Sequence, residues 1–248
     1  MAKDLFSTQA KTYAQYRPHY PQELFAHLFS LVREKGKAWD CATGNGQAAV
    51  VLAEQFAKVE ATDISKTQLR HAVQKPNIQY SIAAAEQTSF PENSFDLITV
   101  AQAYHWLDWN AFKTEAKRVG KKNCLVAIWT YNRFTTGDMK LDSLFDHFYH
   151  DITGPYWDTE RKYVDANYET VDFDFAEVDS HSFYTELQWT REQVIGYFNS
   201  WSAVQKYISQ HGHTPVGLIE EELEKIWGDK ETYTLRFSIY LKHGRIIK

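Results

Sequence analysis

A short glycine loop carries the first pattern in this sequence that could do chemistry. Gly44 and Gly46 stand in a GxGxxA motif, which follows a predicted strand and precedes a predicted helix. Glycines let a backbone approach a ligand closely, and the amides of a helix N-terminus attract negative charge. The motif by itself is compatible with a dinucleotide whose pyrophosphate lies on this turn.

Two aspartates beside this loop indicate another ligand. Asp40 lies four residues before Gly44, where a carboxylate suits an ammonium group better than a pyrophosphate. Asp63 closes the next predicted strand, where a carboxylate can accept both hydroxyls of a ribose. Each aspartate taken singly could also be a turn or helix cap. Together with the loop, they favour a nucleoside that carries an amino acid, namely S-adenosylmethionine.

His105 is the candidate for acid–base chemistry. It follows the fourth predicted strand at the mouth of the same site, and an imidazole titrates near neutral pH. If S-adenosylmethionine donates its methyl group here, His105 could also orient the molecule that accepts it. It could also simply pack against Trp106 and Trp109. We favour orientation, because methyl transfer from a sulfonium is an in-line displacement that depends on alignment. A carboxylate acceptor, which is already ionised at about pH 7, would need no base.

Alternating strands and helices must position these residues. The alternation predicts βαβ units, and therefore an α/β fold whose parallel sheet has helices on both faces. The predicted strands span 38–42, 58–62, 78–83, 95–101 and 123–129. The predicted helices run from Pro21 to Gly36, over 48–56, from Ser65 to Val73, and over 109–119.

The alternation loosens after residue 130. Residues 138–170 are predicted to be helical or irregular, and a strand is predicted over 176–184. A capping box at 190–193 opens a helix that carries apolar residues as far as Tyr207. A last helix, 216–227, precedes a strand over 233–241. We expect a single domain over 1–248, with an N-terminal cap segment 1–35 and a lid or insertion around 131–215.

The composition excludes nucleic-acid binding. The chain has 248 residues, of which 44% are hydrophobic and 24% are charged, as in an ordinary globular protein. Residues 1–130 carry 15 Lys and Arg against 12 Asp and Glu, a net charge of +3, and the remainder carries 12 against 20, a net charge of −8. Since no cluster of cations could displace the counterions of a nucleic acid, no such partner is predicted.

Other features predict a cytoplasmic protein that neither spans a membrane nor binds a metal ion. No apolar run approaches the ~18 residues of a membrane span, and no secretory signal is visible. Two cysteines, Cys41 and Cys124, are too few for disulfide bonds to stabilise a chain of this size. We expect both to be buried thiols in a reducing compartment. Four histidines of the second half lack cysteine partners and ligand-like spacing, so no metal site is predicted: His147, His150, His211 and His213.

Four segments resemble class I S-adenosylmethionine-dependent methyltransferases. Residues 39–47 (WDCATGNGQ) are similar to the first motif of that family, and residues 63–65 to the end of its second strand. Residues 85–90 and 94–106 are similar to its third- and fourth-strand region. The resemblance covers most of the chain. It implies a Rossmann-like, doubly wound, mostly parallel seven-stranded sheet with an antiparallel edge strand.

The resemblance also implies which residues hold the cofactor. They are Tyr13, Arg17, Asp40, Ala42, Gly44, Gly46, Asp63, Ile64, Ala85, Glu86, Ala101 and Gln102. Tyr13 and Arg17 would close over the cofactor and pair with its carboxylate. Ala42 stands where many members have the first glycine, and Ala84 where many have an aspartate near the adenine. Adenine recognition therefore falls to backbone groups and Glu86.

A narrower resemblance concerns the acceptor. Three segments are similar to the trans-aconitate methyltransferase-like subgroup: residues 13–21, 102–106 and 201–204. The implied activity is methyl transfer to a small organic molecule, with a carboxylate oxygen as the expected acceptor atom. No Asn/Asp-Pro-Pro-Tyr/Phe motif follows the fourth strand, which disfavours amino-group methylation of bases. Two alternatives stay open: a relative that binds the cofactor without turnover, and a dinucleotide-dependent oxidoreductase.

The acceptor is expected beneath a lid with aromatic walls. Phe, Trp and Tyr make up 15% of the chain, including eight Trp, which suits an apolar-walled pocket for a small organic ligand. His105 is the catalytic candidate. The predicted substrate-binding residues are Tyr104, Trp106, Arg133 and Trp201. Arg17, Arg133 and Lys206 are the cations nearest the aromatic segments in sequence, and are predicted to orient an acid.

Overall fold

A computed structural model describes residues 17–248 of the chain. The predicted cofactor residue Tyr13 lies outside the described residues. The helices and strands follow one another as α1 Gln22–Leu31, β1 Lys37–Cys41, α2 Gln47–Leu52, β2 Lys58–Asp63, α3 Lys66–Arg70, β3 Ile78–Ile82, β4 Phe95–Ala101, α4 Trp109–Val119, β5 Gly120–Thr135, α5 Met139–His147, α6 Arg161–Asp165, β6 Ala176–Trp189, α7 Arg191–Asn199, α8 Ser202–His211, α9 Glu220–Trp227 and β7 Tyr233–Arg245.

The sheet has seven strands in the order β3-β2-β1-β4-β5-β7-β6. The pairs among β1 to β5 are parallel, whereas β7 is antiparallel to both β5 and β6. The predicted Rossmann-like sheet is confirmed. The order reverses between β1 and β4, and in such sheets ligands bind outside the carboxyl ends of the strands at this switch point.

Both faces of the central strands are covered by apolar packing. On β1, Ala38 belongs to one buried cluster and Trp39 to a second one. Successive side chains of a strand point to opposite faces, so a cluster lies on each side of the sheet. The first cluster includes Leu24 and Leu28 of α1, and the second includes Phe112 of α4. Helices on both sides therefore hold β1 and β4 rigidly at the switch point.

Several elements depart from their predicted bounds for tertiary reasons. α1 ends at Leu31 instead of continuing to Gly36. β5 extends to Thr135 because it pairs with β7, where Thr135 lies opposite Arg236. The single helix predicted from the capping box at Thr190 is two helices, α7 and α8. The break follows from the extended backbone of Trp201, at φ −74° and ψ 139°.

Two helical segments lie outside the sheet, in the part of the chain that includes the predicted lid. They connect β5 to β6 and β6 to β7, since β6 itself belongs to the sheet. Their aromatic side chains pack on one another, as Phe198 does on Phe148 and Trp201 at 5.0 and 4.7 Å between ring centroids. Within residues 17–248, none of the helices has both the length and the apolar composition needed to cross a membrane.

Candidate active site

A cavity lies at the carboxyl ends of β1, β2 and β4. Its wall contains residues of the glycine loop, Asp63 and Ile64 after β2, and Ala101 and Gln102 at the end of β4. Tyr20 and Tyr131 close it from the side of α1 and β5. The cavity thus occupies the place where the strand order reverses.

The loop between β1 and α2 depends on left-handed backbone conformations. Gly44 and Gly46 have φ values of +58° and +85°, and Ala42 has a φ of 53°. A Cβ built at Gly44 would meet no atom within 4 Å, whereas one built at Gly46 would collide with the Tyr80 hydroxyl. Gly44 therefore faces open space on the cavity wall, and Gly46 packs against the side chain of Tyr80. A left-handed alanine such as Ala42 is strained by roughly 1 kcal/mol.

Asp63 joins the glycine loop to the helix that follows β2. Its Oδ2 accepts the backbone amide of Gly44 at 2.8 Å, and its Oδ1 accepts the amide of Ser65 at 2.8 Å. Ser65 in turn caps α3, because its hydroxyl oxygen accepts the amide of Gln68 at 3.2 Å. The carboxylate lies on the cavity wall.

Asp40 lies beneath the loop and is fully buried. Its register on β1 places it opposite Thr99 of β4, and the Thr99 hydroxyl donates to Oδ1 at 2.8 Å. The Thr43 hydroxyl donates to Oδ2 through a short hydrogen bond. Burial raises the pKa of Asp40 to about 6, although both hydroxyls oppose that shift. The carboxylate does not reach the cavity wall, whereas Thr43 does.

Gln102 fixes the end of β4 against β5. Its backbone has a φ of 57°, and its amide donates to the carbonyl of Trp129 at 2.8 Å. The side chain accepts the Thr130 hydroxyl at 2.6 Å and donates to the carbonyl of Tyr131 at 3.2 Å. These hydrogen bonds of Gln102 join the end of β4 to β5 where both strands border the cavity.

A second cavity continues from the first one. The two share the wall residues Arg17, Gln102, Trp106 and Tyr131. The rest of the second wall comes from His105, Asn132 and the helical segments, whose residues are Trp157, Asp158, Arg161, Val164, Tyr197, Trp201 and Ser202. A ligand in the second cavity would lie beside a ligand in the first.

His105 lies on the second wall and is only 8% exposed. Its Nδ1 is 2.7 Å from the Tyr168 hydroxyl, which is fully buried. Burial and then the positive charge of Arg161 lower the pKa of His105 to about 3. The imidazole is therefore neutral throughout the physiological pH range, and it can orient a ligand without carrying a charge.

Arg161 and Asp158 are wall residues of the second cavity that the sequence did not indicate. Arg161 donates from Nε to the Tyr149 hydroxyl at 2.6 Å and from Nη2 to Asn132 Oδ1 at 3.1 Å. Its guanidinium lies 4.6 Å from the ring centroid of Trp157. Asp158 pairs with Lys206 at 2.7 Å through Oδ1. Both residues lie in a stretch predicted only as helical or irregular, so no motif singled them out.

Comparisons with known proteins identify the family. Residues 39–128 match the family model described as a methyltransferase domain. A Dictyostelium discoideum protein assigned as a methyltransferase is 33% identical over 250 residues, which cover 96% of this chain and 93% of that protein. A solved structure assigned as a type II methyltransferase, from Anaeromyxobacter dehalogenans, has a TM-score of 0.85 at 34% identity and covers 94% of this chain and 99% of that one. This chain is a class I S-adenosylmethionine-dependent methyltransferase.

The methyltransferase assignment decides against the dinucleotide-dependent oxidoreductase that the sequence left open. The chain belongs to an enzyme family whose cofactor is S-adenosylmethionine. A further relative is the methyltransferase cfoB of Aspergillus candidus, 24% identical over 217 residues that cover 77% of this chain and 67% of that protein.

Most of the cofactor-binding residues predicted for this methyltransferase line the first cavity. These nine are Arg17, Ala42, Gly44, Asp63, Ile64, Ala85, Glu86, Ala101 and Gln102. Asp40 and Gly46 lie behind the wall, where they support the loop instead of facing the cavity. Trp106 and Trp201, predicted to bind the substrate, line the second cavity.

Two predicted substrate residues of the methyltransferase lie away from both cavities. Tyr104 is fully buried, and its hydroxyl donates to the carbonyl of Asp172 at 2.7 Å. Arg133 pairs with Asp146, and its guanidinium lies over the ring of Tyr149 at 4.9 Å. Neither side chain lines the first or the second cavity. Lys206, also expected to orient the acceptor, is paired with the carboxylate of Asp158 instead of lining the wall.

Proposed function

We propose that this methyltransferase binds S-adenosylmethionine in the first cavity and methylates a carboxylate oxygen of a small organic acid held in the second. When bound, S-adenosylmethionine supplies a methyl group on a positively charged sulfur. The observation that carries the proposal is the shared wall of the two cavities, with guanidinium groups from Arg17 and Arg161 at the second one. Everything else that the enzyme does is binding, orientation and exclusion of water.

The first cavity fits a nucleoside that carries an amino acid. Asp63 would accept the ribose hydroxyls, and the open space above Gly44 leaves room for a ligand against the loop backbone. Gln68 is 3% exposed and lines the same wall, and its Oε1 has no hydrogen-bond partner among residues 17–248. An unsatisfied buried oxygen costs about 1–3 kcal/mol, so a donor group on the ligand would stabilise it. We assign this role to an adenosine amine or hydroxyl.

The charges on the second wall favour an anionic acceptor. Among residues 17–248, the wall of the second cavity contains two guanidinium groups, those of Arg17 and Arg161, and one carboxylate, that of Asp158. Lys206 already offsets that carboxylate. Among residues 17–248, Nη1 of Arg161 has no hydrogen-bond partner, whereas its Nε and Nη2 are engaged. A guanidinium with its other nitrogens fixed is preorganised to donate to a carboxylate. The aromatic walls exclude water and strengthen that contact.

The neutral state of His105 also fits a carboxylate acceptor. An ionised carboxylate attacks the methyl group without losing a proton, so no base is needed. An imidazole whose pKa is lowered to about 3 is a weak base, and it could not readily deprotonate a hydroxyl. We therefore assign His105 to positioning the acceptor through Nε2, with the Tyr168 hydroxyl fixing the ring at Nδ1.

The proposal is tested by incubating the enzyme with S-adenosylmethionine labelled in its methyl group and a panel of small carboxylic acids, with the matched amides and alcohols alongside. We expect label in products of the acids only. Mild alkali should release that label as methanol, because a methyl ester hydrolyses in base and a methyl ether or methylamine does not. Alkali-stable products from the alcohols or amides would contradict the carboxylate assignment.

Arg161→Gln and Arg133→Gln form a matched pair for the acceptor site. Loss of one charge-assisted hydrogen bond is worth about 1.5–3 kcal/mol, so Arg161→Gln should raise KM for the acid by roughly 10- to 100-fold. Arg133→Gln removes the same charge outside both cavities and should leave KM unchanged. Equal effects of the two variants would show that general charge, not a contact with the acceptor, governs KM.

A hydroxyl acceptor is the second candidate, and it rests on Asp158. Its Oδ2 is buried on the second wall and has no hydrogen-bond partner among residues 17–248. In that position a carboxylate could take the proton of an alcohol as its oxygen is methylated. Asp158→Asn separates the two functions. The variant should abolish turnover of an alcohol, whereas it should retain turnover of an acid.

Two narrower predictions belong to the proposal: the class of the acceptor and the compartment in which the protein lies. The resemblance to the trans-aconitate methyltransferase-like subgroup agrees with an acid as acceptor. The free, buried thiols of Cys41 and Cys124 agree with a reducing cytoplasm. Chromatography of metabolite extracts after labelling would identify the acid, and labelled antibodies would locate the protein.

A further inference from the structure

Three histidines from distant parts of the chain meet on the face of the sheet covered by α1. They are His27 of α1, His181 of β6 and His243 of β7, and they are separated by 154 and 62 residues in sequence. One ring nitrogen from each lies within 4.8 Å of the other two. None of the three lines either of the cavities described above. The cluster therefore belongs to no part of the methyl-transfer site.

The pairing of β6 with β7 brings the cluster together. Asp179 lies opposite His243, and His181 lies opposite Leu241 two residues along the strand. Residues two apart on a strand share a face, as do opposite residues on paired strands. Asp179, His181 and His243 therefore project from one face. α1 packs over that face, and the ring of His27 lies 4.1 Å from that of His181 between centroids.

One nitrogen spacing in the cluster is that of two ligands of a single ion. A tetrahedral zinc with nitrogen ligands at about 2.0–2.1 Å places neighbouring nitrogens roughly 3.3–3.4 Å apart. Nε2 of His27 lies 3.4 Å from Nε2 of His243, and a ring nitrogen of His181 lies within 4.8 Å of a nitrogen of each of these two rings. Two imidazole nitrogens in such contact can share at most one proton between them, and an ion bound by both removes their repulsion.

A carboxylate stands beside the three rings. Oδ2 of Asp179 lies 3.2 Å from Nε2 of His181, whereas its Oδ1 accepts the backbone amide of Ser180 at 2.8 Å. The Asp179 side chain is 64% exposed. A metal-bound imidazole commonly donates its second nitrogen to a carboxylate. Asp179 can therefore act either as a fourth ligand or as the partner of a ligating histidine.

We propose that His27, His181 and His243 form a binding site for a divalent transition-metal ion, with Zn²⁺ as the best match. Three imidazoles with an oxygen donor nearby suit Zn²⁺, Co²⁺ and Ni²⁺ better than Mg²⁺ or Ca²⁺, which prefer oxygen ligands. The ion would tie α1 to β6 and β7. Since the segment before α1 contributes Arg17 and Tyr20 to the cavity walls, the ion would stabilise that wall at a distance without entering the reaction.

Metal binding can be measured without any assay of methyl transfer. The protein is stripped with a chelator, and Zn²⁺ is added in a calorimetric titration. Co²⁺ is then bound in a parallel sample, where its absorption spectrum reports the ligand geometry. We expect one equivalent of Zn²⁺, an increase in Tm on binding, and a cobalt spectrum of a four-coordinate site with nitrogen ligands. Absence of binding to the stripped protein would overturn the proposal.

Single substitutions separate this site from adventitious binding. His181→Gln should weaken Zn²⁺ binding by at least about tenfold, as loss of a ligand or its immediate partner typically does. His181 lies on the edge strand with 36% of its side chain exposed, so we expect the variant to fold, and circular dichroism checks this. His213→Gln removes an exposed histidine elsewhere and should leave affinity unchanged. Equal affinities in wild type and His181→Gln, or equal losses in both variants, would overturn the assignment.

Discussion

The Oδ2 atom of Asp63 accepts the backbone amide of Gly44 at 2.8 Å. The carboxylate that ends β2 therefore holds the loop that follows β1, and its other oxygen holds the amide of Ser65 at the start of α3. β1 and β2 are parallel neighbours, so their carboxyl ends meet and one side chain can join both loops. Substitution of Asp63 will affect the shape of the cavity wall as well as any ligand on it.

Asp63→Ala is expected to weaken S-adenosylmethionine binding by roughly tenfold or more, because hydrogen bonds from ribose hydroxyls to a carboxylate are worth about 1.5–3 kcal/mol each. The lost contacts to Gly44 and Ser65 should lower the free energy of unfolding by a further ~1–2 kcal/mol. Calorimetry measures the first effect and urea denaturation the second. Unchanged affinity in a folded variant would show that the ribose lies elsewhere.

Gly44→Ala and Gly46→Ala should have different effects, although both glycines have positive φ values. Each alanine is strained by about 1 kcal/mol. At Gly44 the new methyl enters open cavity space, so we expect weaker cofactor binding with a small change in Tm.

At Gly46 the methyl would collide with the Tyr80 hydroxyl, so we expect a larger decrease in Tm. Tyr80→Phe removes that oxygen and should restore part of the stability in the double variant, since the ring atoms stay close at 3.1–3.2 Å. Additive losses in the double variant would contradict the predicted contact. Differential scanning fluorimetry and calorimetric titration of all four proteins provide the comparison.

Asp40 should make stability depend on pH in the acid range. Burial raises the pKa of Asp40 to about 6, whereas an unfolded aspartate titrates near 3.9. A carboxyl that holds its proton more tightly in the folded state stabilises the fold below about pH 4, and this contribution is lost as the pH rises through about 6. The wild type should therefore lose roughly 2–3 kcal/mol relative to Asp40→Asn between about pH 4 and 7.

Urea denaturation of both proteins across this pH range measures the difference. Asp229→Asn removes a carboxylate at an exposed position and controls for the change in net charge. A difference between wild type and Asp40→Asn that stays constant with pH would mean that the buried carboxyl does not titrate in this range.

The pH profile of methyl transfer should show no titration of His105. Burial and the charge of Arg161 lower its pKa to about 3, so the ring is neutral at every pH from about 5 to 9. His105→Gln should raise KM for the acceptor and leave the shape of the profile unchanged. Tyr168→Phe removes the hydroxyl that fixes the ring and should have a similar, smaller effect. An inflection near neutral pH that disappears in His105→Gln would instead identify His105 as a base.

Local patterns in the sequence were sufficient to locate the elements that form the first cavity. β4 and α4 have the predicted bounds, because an apolar run forms β4 and Asp108 caps α4 by accepting the amide of Ala111 at 3.0 Å. The order of the glycine loop and Asp63 along the chain also predicts that they meet, since adjacent parallel strands end at the same edge. Most of the predicted cofactor residues accordingly line one cavity.

The wall of the second cavity depends on contacts that local patterns do not contain. Arg133 is predicted there because it is one of the cations nearest the aromatic segments in sequence. In the structure, the register of β5 against β7 shifts between Tyr131 and Phe134, and Arg133 pairs with Asp146. Arg161, from a segment predicted only as helical or irregular, lies on the wall instead. Neither a register shift nor an ion pair can be read from the period of two along a strand.

The sequence by itself thus indicated the family, the succession of strands and helices that carries the glycine loop, and the residues at the carboxyl ends of those strands. Each of these depends on motifs whose residues lie close together in the chain. Tertiary structure alone decided that Asp40 is enclosed by two threonine hydroxyls, that Arg161 faces His105, and that His27, His181 and His243 share one face. Such neighbours are set by strand register and helix packing, which join residues as much as 216 positions apart, and no local periodicity records them.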